Sequence, residues 1–93
     1  MNGYYKEIKL KPTRDNWCPN FPNNQVTVTI FCNAIHEGNI WHRVCVWGDD
    51  DLGMERDFFG EEQEQDALDL YGRVMNLDYV DFRHLKKMGF KSA

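Results

Sequence analysis

A chain of 93 residues with a net charge of −4 is long enough for one domain and too short for two. Apolar residues make up 42% and aromatics 14%, which supplies a core and excludes a wholly disordered chain. No apolar run approaches the roughly 18 residues of a membrane span. Residues 1–11 carry scattered charges and no signal-peptide-like apolar stretch, so a cytoplasmic protein without membrane contact is expected. Three cysteines, an odd number, fit reduced thiols better than a disulfide framework.

In chain order, Tyr4 to Lys11 alternates, with Ile8 and Leu10 on one face and Glu7, Lys9 and Lys11 on the other, as a half-buried strand does. Residues 12–25 form a long loop bearing Pro12, Pro19 and Pro22. Its Trp17 and Phe21 pin it over one end of the core in the ordinary reading, or anchor a partner in the functional one. Val26 to Ile35 is the clearest strand, rich in β-branched residues, with Val26, Val28, Ile30, Cys32 and Ala34 on one face. His36-Glu37-Gly38-Asn39 supplies a tight turn into a strand from Ile40 to Gly48. Asp49 to Gly53 turns again into a strand from Met54 to Phe59.

A helix follows, capped at Gly60, with Glu61, Glu62 and Glu64 in its first turns, where the dipole favours acids. Ala67, Leu70, Tyr71 and Val74 give its apolar spacing. A second helix is predicted with Asp78 as N-cap and Asp81 as its third residue. Its apolar stripe is Phe82, Leu85 and Met88, and Gly89 with Phe90 closes it. The predicted fold class is α+β: one domain, residues 1–93, with a small antiparallel sheet of three to four strands and two C-terminal helices packed on one face.

Cys32, His36, His42 and Cys45 have ligand types that zinc accepts. A hairpin turn at Gly38-Asn39 places Cys32, Cys45 and His36 on one face and His42 on the other, and an odd-length loop exchanges His42 for Cys45. Neither register gathers four ligands. Cys32 and His36 lack an orienting third group for nucleophilic catalysis. Asp49, Asp51, Gly53, Glu55 and Asp57 miss the calcium-loop pattern, because the glycine falls at position five instead of six. Ser92 is the only serine, and Gly48, Gly53 and Gly60 are too far apart to cradle phosphate. A non-enzymatic protein with no catalytic residue, metal or cofactor is therefore expected.

Charge supplies the strongest lead. From Asp49 to Asp69, ten acids face only Arg56, a net −9 within a chain of −4. The ordinary reading is a solvated helix face. The functional reading joins Asp50, Asp51, Glu55, Glu61, Glu62 and Glu64 into one face that docks on a protein with a basic surface, such as a groove that otherwise holds nucleic acid. Trp17 and Phe21 add an aromatic anchor. Direct nucleic-acid binding is not expected at a sequence pI near 5.2. The alternative is a structural domain, a homodimer paired through its sheet edge or through Trp41 and Trp47.

The stretch Arg56-Asp57-Phe58-Phe59-Gly60-Glu61-Glu62, leading into a helix that ends near Tyr71, resembles small phage-encoded accessory proteins of the anti-CRISPR type over about 20 residues. The resemblance implies an inhibitor that occupies a surface of a CRISPR effector in the host cytoplasm.

Overall fold

A computed structural model describes residues 4–10, 26–47, 53–77 and 80–93. The loop at residues 12–25 and the turn at Asp49–Leu52 lie largely or wholly outside the described residues, and so does Asp78. Five strands lie side by side in chain order: β1 (Tyr4–Leu10), β2 (Val26–His36), β3 (Asn39–Trp47), β4 (Gly53–Phe59) and the two-residue β5 (Lys91–Ser92). Every neighbouring pair is antiparallel. Between β4 and β5 come a short 3-10 turn (Glu61–Gln63), helix α1 (Glu64–Met75) and helix α2 (Phe82–Lys87). The α+β class with an antiparallel sheet and two C-terminal helices is what the residue pattern predicts, with β5 as an addition.

The register explains the core. Val28 lies opposite Val46, Ile30 opposite Val44, and Val46 opposite Met54. These even-numbered side chains, with Val26, Cys32 and Phe58, form one buried cluster with Ala67, Leu70 and Val74 of α1 and with Leu85, Met88 and Phe90 around α2. Each fully buried aliphatic residue contributes about 1.5–3 kcal/mol of transfer free energy. Odd-numbered residues of β3, of β4 and of β2 up to Phe31 point to the opposite side of the sheet, as strand alternation requires.

Helix α2 begins three residues later than the sequence suggests. Its N-cap is Asp81, whose Oδ1 accepts from His84 N–H at 2.6 Å, so Asp81 is not the helix's third residue. The predicted stripe is borne out, with Leu85 and Met88 buried and Phe82 packed against the core. At the other end Gly89 N–H donates to Lys86 O and Phe90 N–H to Leu85 O, both at 3.0 Å. This pair of hydrogen bonds, with Gly89 at φ 93°, is the left-handed helix ending that glycine accommodates, and it buries Phe90. Arg56 Nη1–H also donates to Met88 O at 2.8 Å, a cation at the negative end of the helix.

The β2–β3 hairpin departs from prediction twice. Its two turn residues are Glu37 and Gly38, both at positive φ, with His36 opposite Asn39. The expected turn at Gly38-Asn39 sits one residue off. The register then shifts between Phe31 and Ala34: Phe31 faces Arg43, whereas Ala34 faces Trp41. One residue of β2 is therefore extra, and Asn33, at φ 61°, takes up the excess as a β-bulge. Asparagine tolerates that region better than other non-glycine residues. Beyond the bulge Ala34 leaves the face it was expected to share with Cys32.

Candidate functional site

The bulge is held by a side chain from the facing strand. His42 is completely buried, and both ring nitrogens have backbone partners. Asn33 N–H donates to Nδ1 at 3.0 Å. Nδ1 therefore carries no proton, so Nε2–H donates to Gly60 O at 2.8 Å. Gly60 N–H in turn donates to Ile40 O at 2.9 Å, and Asn33 Nδ2–H donates to Glu64 Oε2 at 2.8 Å. The His42 imidazole thus ties the β2 bulge and strand β3 to the turn after β4, and the Asn33 side chain extends the junction to the start of α1. Asn33 Oδ1 is buried there with no hydrogen-bond partner.

The register shift changes what this end presents. Ile35 lies opposite Ile40, so it points to the side of the sheet that carries His42 and α1. Without the extra residue it shares the other face with Trp41. Ile35 is 66% exposed, and Phe59, opposite Trp41 at the end of β4, is 48% exposed. Glu37, Glu61 and Glu62 are exposed around the same end.

The opposite face of the sheet holds a second polar cluster. Arg43 donates through Nε to Asp57 Oδ1 at 2.6 Å and pairs through Nη1 with Glu55 Oε2 at 3.0 Å. Trp41 Nε1–H reaches the same Asp57 oxygen at 2.8 Å, and Lys91 Nζ lies 3.7 Å from the other. The Arg43 guanidinium stands over the Trp41 ring at 4.5 Å, and Phe31 meets that ring edge-on at 4.6 Å. Burial alone raises the Asp57 carboxyl. The bonds from Arg43 and Trp41 and the nearby cations outweigh that and hold it below the ordinary carboxylate range. Burial likewise pushes the Cys45 thiol up, against the lowering effect of Thr29 and Arg43.

The acids predicted to form one face divide between these two places. Glu55 belongs to the Arg43 cluster, on the side of the sheet away from α1. Glu61 and Glu62 are exposed at the junction, and no described base pairs with either. Glu64 is half-buried and committed to Asn33. Asp50, Asp51, Trp17 and Phe21 lie outside the described residues. Trp41 and Trp47, the residues singled out for a homodimer contact, are half-buried.

The two cysteines and two histidines also separate, in a different way from the prediction. Cys32 and His42 are buried on the core side, while His36 packs at 5.0 Å on Trp41 and Cys45 lies opposite Thr29 on the other side. Among the described residues no three His, Cys, Asp or Glu side chains gather as metal ligands. Sequence reasoning missed His42 and Asn33 as a structural pair. The available signal was an asparagine inside an otherwise β-branched strand. Comparison of the chain with family models, curated proteins and solved structures gives no match.

Proposed function

We propose that the chain is a non-enzymatic binding protein that docks through the junction end of its sheet on a basic protein surface, of the kind that otherwise holds nucleic acid. A CRISPR effector is the partner class implied by the resemblance of the Arg56–Glu62 stretch. The observation that carries the reading is the pair Glu61 and Glu62, exposed and unmatched by any described base at the start of α1. Carboxylates held this way repel one another, and a partner's lysines and arginines relieve the repulsion. Glu55 is set aside from the docking face, because Arg43 already neutralises it.

The test is inhibition of purified CRISPR effectors, read as guide-directed DNA binding and cleavage across a salt series. Inhibition is expected to weaken steeply as ionic strength rises. The double variant Glu61→Lys, Glu62→Lys is expected to keep its circular dichroism spectrum and lose inhibition. An equally inhibitory double variant refutes the acidic docking end, and a panel with no inhibited effector refutes that partner class.

A further inference from the structure

Burying or exposing Ile35 is a choice made by the bulge. A regular strand places Ile35 beside Phe31 and Trp41, on a half-buried aromatic face. The extra residue at Asn33 instead turns it to the other side, where it remains 66% exposed. This arrangement has costs: a non-glycine residue at φ 61°, a fully buried histidine, and a buried amide oxygen without a partner. None of these is offset by burial of Ile35 itself. Ile35 and Phe59 are the large apolar side chains exposed among the described residues, and they lie on opposite faces of the sheet: Ile35 shares the α1 side with Ile40, whereas Phe59 shares the other side with Trp41. Among the described residues, the exposed charges around this end of the sheet, Glu37, Glu61 and Glu62, are all negative.

We propose that Ile35, aimed by the Asn33–His42 bulge, is the apolar anchor of the docking end, and that it enters an apolar pocket rimmed by lysine and arginine on a partner protein. This rests on the acidic docking end proposed above and adds the residue that supplies its short-range contact. The apolar anchor sets the dissociation rate, and the acids steer the encounter. The charge around the anchor selects the rim: an acidic pocket edge is repelled by Glu61 and Glu62, and a neutral one leaves them desolvated without partners.

A defined probe tests this without a known partner. Peptides selected from a random displayed library on the full chain are synthesised and titrated against the parent and against Ile35→Ser and the double variant Glu61→Lys, Glu62→Lys. An Arg73→Ser variant, at an exposed position in the last turn of α1, serves as control. The selected peptides are expected to combine Lys or Arg with large apolar residues. Their Kd is expected to rise at least tenfold with Ile35→Ser and with the charge reversal, and to stay within twofold with Arg73→Ser. Ile35 is exposed, so the serine variant retains the fold, checked by its thermal midpoint. Peptides that lose binding on charge reversal but keep it within twofold on Ile35→Ser overturn the anchor and leave the acidic end standing. Peptides free of basic residues that lose binding on Ile35→Ser but not on charge reversal overturn the basic rim and the acidic docking end together.

Discussion

Replacing His42 by leucine tests whether one side chain holds the junction. Leucine fills nearly the same space but offers nothing to Asn33 N–H or to Gly60 O, which His42 now engages at 3.0 and 2.8 Å. A stranded buried donor or acceptor costs about 1–3 kcal/mol. Both backbone groups sit in half-buried residues, which places each at the low end of that range. His42→Leu is therefore expected to lose about 2 kcal/mol. His42→Ala is expected to lose about 3–4 kcal/mol, because it adds a cavity at a fully buried position. A domain of this size has about 5–14 kcal/mol in total, so both variants remain folded and measurable. Urea unfolding with linear extrapolation gives the difference, and an unchanged m-value shows that the native state has kept its compactness. A leucine variant within 0.5 kcal/mol of the parent, a margin drawn from the roughly 10–15% extrapolation error, refutes the hydrogen-bonded role of the ring.

Gly89→Ala is expected to destabilise by about 1–2 kcal/mol, because the residue holds φ 93° and an added Cβ meets the Arg56 guanidinium carbon at 3.0 Å; thermal unfolding reads it. The Asp57 carboxyl is held below its ordinary value in the folded chain, so its contribution is complete above the unfolded value near 4 and is lost as pH falls through the lower folded value. Asp57→Asn is expected to flatten the stability profile in that acid window, and an unchanged acid slope refutes the assignment. Cys45 is half-buried with its thiol pushed up, and Cys32 is fully buried. Peptide-resolved alkylation at neutral pH is expected to label Cys45 far more slowly than an exposed thiol and Cys32 only on unfolding. Rapid labelling of either contradicts the packing described.

The elements that were legible in the sequence are those whose local pattern and tertiary role agree. The β-branched alternation from Val26 to Ile30 meets matching alternation in Val44 and Val46, so strand, face and pairing follow from one rule. The Phe82-Leu85-Met88 stripe and the Gly89-Phe90 ending were readable for the same reason. The start of α2 was not, because Asp78 and Asp81 offer the same capping chemistry three residues apart. The sequence does not show which aspartate has the free N–H groups of a helix's first turn after it, and Asp81 takes the role through His84. The register of the hairpin was hidden more deeply. One extra residue reverses every face beyond it, and the energy that decides it is spread over His42, Gly60 and Glu64, far away along the chain.

The same reversal governs the acidic stretch. Along the chain it looks like one block, because composition has no sense of direction. In the fold, its strand acids and helix acids answer to different rules. Alternation sends Glu55 and Asp57 to the side of the sheet away from α1, where Arg43 and Lys91 neutralise them. The lone base of the block, Arg56, points the other way and is engaged by Met88 O at the end of α2 instead of opposing the acids. Glu61 and Glu62, in the turn that opens α1, escape both fates, since a helix start tolerates negative charge without a counter-ion, whereas Glu64 accepts from Asn33. The charge left for a partner at the junction end is therefore that of Glu61 and Glu62, near an apolar residue turned outward by a bulge, while the exposed Asp66 and Asp69 lie further along α1. Restoring Glu55 to solvent with Arg43→Gln is then expected to alter stability without strengthening binding. A gain in affinity on that change locates the docking surface on the Trp41 face of the sheet, and a null result with weakened stability keeps it at the junction.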